Sequence, residues 1–369
     1  MQIPFVNLRL QYQSIQSEID LAIQKVFEKA QFIGGAAVTK FESEFSRLHE
    51  NQHCISTGNG TDALFIILNS LNLQPGDEVI TPSFSCIPSS ETISLAGGVP
   101  VFCDVDPQYY TLDPTEVLKK ITSKTKAVVA VHLFGQAAPV VELKKICDEH
   151  SLQLIEDCAQ GHLTAEYGRH SGTVGLASAF SFYPTKNLGA YGDAGCILTR
   201  DNLLAEKMRR FANHGALFKD DHLIEGTNSR MDTLQAAILS VKLKHLNRWT
   251  ARRKEIAVLY KSLLANVDHL ILPKERKNST HTFHIFCIQT PFRDSLKKFM
   301  KERGVETLIH YPKGLPFTDS YSFLRHSANE FPVTAKLQQQ VLSLPIFPEL
   351  KNDEVEYIAQ NIRQYFSTL

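Results

Sequence analysis

Apolar residues along this chain follow two rhythms that take turns. Residues 14–30 carry Ile15, Ile19, Ala22, Ile23 and Val26 at the three-to-four-residue spacing of an amphipathic helix. Short apolar runs then recur at 78–80, 99–103, 127–131, 153–155, 179–182 and 196–199. Between several of them lie stretches of helical period, at 61–71, 114–120 and 140–149. Short strands alternating with helices predict an α/β fold whose mostly parallel sheet is covered on both faces, a three-layer arrangement. From 231 to about 264 the period is helical again, with Leu234, Ala237, Ile238 and Val241 on one face. Beyond Pro273 the pattern changes to an apolar run at 284–289, a helix near 294–303 and a last helix at 354–366. The chain therefore divides into a large domain over 1–245 and a smaller α+β domain over 246–369, with no internal repeat and no low-complexity linker.

The length of 369 residues suits that division. Charge adds an exclusion: 39 Lys+Arg balance 39 Asp+Glu, so no net excess points to nucleic acid or to an anionic membrane surface. No apolar run reaches the eighteen or so residues of a membrane span. The opening MQIPFVNLRLQYQ lacks a basic segment followed by an apolar one, so no signal peptide is expected. Seven cysteines without a CxxC pair favour neither a disulfide framework nor a zinc site, and fit a reduced cytoplasm. His132, His162 and His214 lack metal-ligand spacing, which leaves them core or supporting roles and the chain with no expected metal.

In an open α/β sheet ligands bind beyond the carboxyl ends of the strands, so the segments there hold the candidate chemistry. LIEDCAQGH places Asp157 and Gln160 just after the strand at 153–155. FSFYPTKNLGAYGDAG places Ser181, Tyr183 and Lys186 at or after the end of another. STGNGTDAL is a glycine-bracketed turn directly before a helix, where Gly60 and Thr61 offer N–H groups and a hydroxyl suited to a phosphate. Singly, each has a plainer explanation. A Gly-Asn-Gly turn is more often only a cap, Asp157 alone reads as an N-cap, and Lys186 alone as a solvated surface lysine. Neither a third glycine at the dinucleotide offset nor a GxxxxGK[ST] loop is present. Together, a phosphate cradle, a carboxylate at a strand end and a lysine beyond a later strand are the set that pyridoxal 5'-phosphate needs. The lysine holds the cofactor as a Schiff base and the carboxylate pairs with the pyridinium nitrogen, which keeps the ring an electron sink. Once released, the same amine can act as general acid and base.

At these residues the sequence resembles the DegT/DnrJ/StrS family of PLP-dependent nucleotide-sugar aminotransferases, of the aspartate-aminotransferase fold (fold type I). FIGGAAVTKFESEF, NGTDAL, GDEVITPSF, VHLFGQ, EDCAQ, FSFYPTKNLGAYGDAG, NSRMDTLQAAIL, LIHYP and LSLP follow in the family's order over essentially the whole chain. The resemblance implies that Lys186 is the Schiff-base lysine, Asp157 the pyridinium partner, and Gln160 a donor to the ring's 3-hydroxyl. It implies that Gly60, Thr61 and Ser181 hold the phosphate and that Ala159 is small enough to lie against one face of the ring. Asn228 would reach the phosphate of a neighbouring subunit, so a homodimer with shared sites is expected. A branch with histidine in place of the lysine performs deoxygenation; Lys186 puts this chain on the aminotransferase side. In TPSFSCIP the family usually has an aromatic residue at Cys86, stacked on the cofactor. Here Phe84 or another ring substitutes, or that face is more open, and Cys86 itself reads as a small buried hydrophobe.

The Tyr183-containing motif and Gly192-Asp193-Ala194-Gly195 are similar to those of family members that aminate C-3 of a sugar, whereas C-4 enzymes often read FSFHP. HTFHIF and LIHYP are similar to segments of enzymes acting on dTDP-3-keto-6-deoxyhexoses. The resemblance thus implies ping-pong transamination of a nucleotide-linked keto sugar with glutamate as amino donor, serving amino-sugar or surface-glycan (O-antigen) synthesis. Tyr183, His310 and Tyr311 would lie near the sugar, although the last two read equally as a buried pair. Lys219 would reach the substrate diphosphate from a loop, its charge partly cancelled by Asp220 and Asp221. A C-4 enzyme, an enzyme for a UDP-3-keto-N-acetylhexosamine, and a PLP-binding regulatory protein without turnover are the alternatives.

Overall fold

The computed structural model describes residues 1–50 and 52–367. Seven strands form the central sheet: His53–Thr57 (β1), Glu78–Pro82 (β2), Val99–Cys103 (β3), Thr125–Val131 (β4), Gln153–Asp157 (β5), Ala177–Ser181 (β6) and Gly195–Thr199 (β7). Their spatial order is β1-β7-β6-β5-β4-β2-β3. Neighbours from β3 to β6 pair in parallel, and β7 alone runs antiparallel to both strands beside it. β4 is buried along almost its whole length, as helices on both faces of a parallel sheet require. The expected α/β architecture is what the chain adopts.

Several elements depart from the apolar pattern in detail. The stretch at 14–30 forms helix Gln16–Lys29 (α1), and a separate helix, Leu8–Ser14, precedes it, with Ile15 in a non-helical conformation between them. Helix Ala36–Leu48 (α2) buries Phe41 and Phe45, and Gly60–Ser70 (α3) follows β1. The stretch expected to be one helix from 231 to 264 is Thr233–Leu243 (α4) and Leu246–Leu263 (α5). The break falls where the chain passes between cores. Ala236 and Leu239 of α4 pack with Phe41, Phe45 and Phe182, whereas Ile256, Ala257 and Tyr260 of α5 pack with Phe286, Leu342 and Ile358. That second core is built on a two-stranded antiparallel sheet, Phe286–Gln289 (β8) with Val341–Leu344 (β9), and on the last helix, Asn352–Ser367 (α6). Ile3, at the other end of the chain, joins it and bridges Val305.

A carboxylate ties this region to the large sheet. Asp104, just past β3, accepts from the N–H groups of Val333 and Thr334 at 2.9 and 3.0 Å, capping helix Pro332–Gln340. Thr334 also shares a 2.6 Å hydrogen bond with Ser83, beyond β2. Negative charge at a helix N-terminus is stabilising, and here it fixes the loop after β2 that leads to Cys86.

Candidate active site

The carboxyl end of β6 and the start of β7 meet the N-terminus of α3. Asn59 caps that helix, its Oδ1 accepting from the Asp62 N–H at 2.8 Å. Gly60 and Thr61 begin the first turn, whose N–H groups have no carbonyl four residues back. A Cβ on Gly60 would sit 2.6 Å from Ser181 Cβ, and one on Gly195 would sit 2.4 Å from the Asn59 carbonyl. Only glycine at both places lets the helix end nest between β6 and β7. Ser229 pins the turn from outside, accepting from the Gly58 N–H at 3.0 Å and donating to Asp62 at 2.7 Å. The free N–H groups of the turn suit a phosphate, and a Cβ on Gly60 would push Ser181 away from it. Overpacking of this kind costs about 1–3 kcal/mol, so Gly60→Ala should weaken PLP binding roughly 5- to 160-fold. Titration of the cofactor-free protein measures this, and an unchanged Kd would remove Gly60 from the cradle.

Asp157 is the last residue of β5, not a residue beyond it, and is 5% exposed. Its Oδ1 accepts from the Ala159 N–H at 3.0 Å. Burial raises its carboxyl above the usual range, against the pull of that amide and of the charges on Lys186 and His132. Such a carboxylate is short of a cation. Lys186 stands on the turn after β6, its N–H bonded to the Tyr183 carbonyl at 2.8 Å. Desolvation lowers its ammonium below the usual lysine range, opposed by Cys86 and Asp157, and more of it is the nucleophilic free amine. Behind both, His132 and Glu156 are fully buried and 3.0 Å apart. Glu156 also accepts three backbone N–H groups, from Gly172, Val174 and Gly175. With Cys158 these two make a compact buried group, but every His132 nitrogen and Glu156 oxygen already has a hydrogen-bond partner.

Gln160 joins the two regions of the chain. Its Oε1 accepts from the Phe134 N–H at 2.7 Å, and its Nε2 donates to the Tyr311 hydroxyl at 2.9 Å. Tyr311 also touches Cys86, and burial raises its phenol well above the usual range. Cys86 is exposed, which corrects the expectation of a buried hydrophobe. It lies close enough to Lys186 and Asp157 to feel both charges, and the desolvating protein around it raises its thiol pKa. Phe84 is fully buried with its ring edge-on to Tyr311, 6.2 Å between centroids, so Tyr311 is the ring at this edge of the site. His310 bonds Ser343 through Nδ1 at 2.9 Å, and burial lowers its imidazole to about 4.

Ala159 is half-buried beside Asp157, Ser181 ends β6, and the Tyr183 side chain is exposed. Lys219 and Asn228 are also exposed. They lie on a segment whose base is held by Arg210 and Asp221 at 2.6 Å and by a bridge between Asn213 and Asn228. His214 is exposed as well, so of the core or supporting role expected of it the core one does not hold. Sequence reading passed over His284. It bonds Asn187 at 3.3 Å, and burial followed by the Lys186 charge lowers its imidazole well below the usual range. The polar break in the apolar run HTFHIF was the available signal.

The sequence profile of the DegT/DnrJ/EryC1/StrS aminotransferase family matches residues 13–363. The chain belongs to this family. It is 37% identical over 363 residues to the dTDP-3-amino-3,4,6-trideoxy-alpha-D-glucose transaminase of Streptomyces venezuelae, covering 98% of this chain and 96% of the relative. It is 41% identical over 369 residues to a "Pleiotropic regulatory protein" of Geobacillus stearothermophilus, with 99% of each covered. Its fold matches the crystal structure of S. venezuelae DesV in complex with a ketimine intermediate, with TM-score 0.97, 36% identity and 100% and 99% of the two chains covered. The chain is thus a PLP-dependent aminotransferase of fold type I, and the cradle, Asp157 and Lys186 are a donor set that fits the cofactor. Among the described residues no helix is long and apolar enough to cross a membrane.

Proposed function

We propose that this aminotransferase aminates C-3 of a dTDP-3-keto-6-deoxyhexose with glutamate as donor, in the cytoplasm, for amino-sugar and surface-glycan synthesis. The observation that carries the reading is full-length similarity to a dTDP-3-amino-sugar transaminase in a chain that joins Lys186, Asp157 and the Gly60 cradle at one site. Gly60, Thr61 and Ser181 would hold the cofactor phosphate, Asp157 the ring nitrogen, Gln160 the ring hydroxyl and Lys186 the aldehyde carbon, with Ala159 against a ring face. Bound there, PLP supplies a ring that accepts the charge developing at the substrate carbon. Lys186 Nζ takes the proton from the donor's α-carbon and delivers one to the sugar carbon. Desolvation lowers its pKa, which raises the share of free amine able to act as a base. Tyr183, His310 and Tyr311 would orient the sugar and Lys219 its diphosphate. Asn228, exposed here, would complete the phosphate site of a second copy in a homodimer. The division at residue 245 into a large cofactor-binding domain and a small domain belongs to the same reading.

The test is direct. Purified protein with glutamate is offered dTDP-3-keto, dTDP-4-keto and UDP-3-keto-N-acetyl sugars, and NMR locates the new amine. Amination at C-3 of the dTDP sugar is expected; turnover confined to either of the other two would replace this assignment. The regulatory relative at 41% identity favours a second reading, a PLP-binding protein without turnover. Cofactor that binds yet is never converted by glutamate would support it.

A further inference from the structure

Lys242 of α4 is fully buried and has no ion pair among the described residues. Its Nζ donates to the Gly189 carbonyl at 2.7 Å and lies 3.9 Å from the centroid of the Tyr191 ring. Gln235 stands seven residues earlier, two turns along the same helix face. Its Oε1 accepts from the Tyr191 N–H at 2.9 Å, and its amide nitrogen is what a Cβ on Gly192 would meet, also at 2.9 Å. One helix face therefore grips two points of the loop that carries Lys186.

That loop is closed on itself. Phe182 N–H bonds the Ala194 carbonyl at 2.8 Å, Ala190 N–H bonds the Phe182 carbonyl at 2.7 Å, and Lys186 N–H bonds the Tyr183 carbonyl at 2.8 Å. Gly189 is pressed against the near side of the turn, where a Cβ would sit 2.3 Å from the Pro184 oxygen. A force on the Gly189 carbonyl is thus passed to the turn that sets Lys186. Burying an amine away from water is costly unless it is hydrogen-bonded. A methionine would fill the same space without that cost, so the retained amine points to the carbonyl it holds. Burial lowers the Lys242 amine to about 7, opposed by Glu349. Both its charged and neutral forms can donate N–H, and the hold on Gly189 survives either.

We propose that Lys242, seconded by Gln235, is a positioning residue that braces the Lys186 loop from α4. The proposal rests on Lys186 being the cofactor lysine. Its test compares wild type, Lys242→Met, Gln235→Met and Ile358→Val, each titrated with PLP. Ile358 of α6 is fully buried in the second core, whose members include no residue of the Lys186 loop, so its truncation lowers stability through a cavity without touching the loop. In Lys242→Met the rate at which borohydride traps PLP on the protein should fall about tenfold or more, because misplacement of a reacting group slows its reaction steeply. The pH at which the violet band of bound cofactor titrates should move by roughly half a unit or more. Gln235→Met should shift both readouts in the same direction, and it carries the test if Lys242→Met does not fold. Ile358→Val should lower the melting temperature and leave both unchanged. Wild-type trapping and titration in folded Lys242→Met and Gln235→Met, or equal changes in Ile358→Val, would overturn the brace. Absence of a violet band in wild type, or trapping that persists in Lys186→Ala, would instead overturn the assignment of Lys186.

Discussion

Lys186→Ala is expected to lower transamination by roughly four orders of magnitude or more, since it removes both the covalent hold on the cofactor and a proton carrier, the latter alone worth about 10²–10⁴. The surroundings offer no substitute. His310 is the nearest alternative base in kind, but burial lowers its imidazole to about 4, and that of His284 is lowered well below the usual range. Groups so weakly basic remain neutral at working pH and draw little proton from a carbon acid. Asp157 does not serve either, because in the proposed site its charge faces the ring nitrogen. The variant should still bind PLP through the Gly60 cradle, and borohydride should no longer fix the cofactor to protein. Single-turnover kinetics with glutamate, read from the cofactor spectrum, measure the loss. A rate within tenfold of wild type, or cofactor trapped on another lysine, would displace Lys186 from its role.

How far this site was legible follows from what kind of residue each part uses. The cradle and the Lys186 loop were legible because they need glycine and lysine at fixed offsets, and close backbone approach leaves a mark that composition noise does not imitate. The sheet was legible where strands are buried on both faces, as in β4 and β5, whose apolar runs stand out. β1 was not, because HCIST is short and half polar and pairs only with β7 at the sheet's edge. α4 and α5 were merged because helical period is local, whereas their separation serves two different cores.

Cys86 shows a different limit. Its type suits burial, yet it is exposed beside the buried Phe84 and in contact with Tyr311, which comes from the far end of the chain. Contacts between residues 151 apart in sequence, as between Gln160 and Tyr311, have no local signature. The brace from Lys242 is hidden for the same reason. In the sequence it is one more lysine on a helix, and only its enclosure beneath Gly189 and Tyr191 separates it from a solvated one.

Asp157→Asn should reduce turnover by roughly 10²–10³-fold, the usual cost of losing one preorganised charge, while leaving the cofactor-free protein as stable as wild type or more so. The sign follows from burial. The carboxyl's folded pKa is raised above its unfolded value, so folding favours the protonated form. Stability from this group is therefore greatest at acid pH and declines as pH rises from the unfolded toward the folded pKa. Above that folded pKa the empty protein carries a buried charge that costs free energy, and asparagine relieves it. A protonated ring nitrogen placed opposite offsets the same cost in wild type, so PLP should raise the wild-type melting temperature more than that of the variant. Acidification should narrow the gap, because below its raised pKa Asp157 is itself neutral. Thermal melts of both proteins with and without PLP, from neutral to acid pH, decide the matter. An equal PLP-induced shift in the two at neutral pH would mean that the Asp157 charge faces something other than the cofactor.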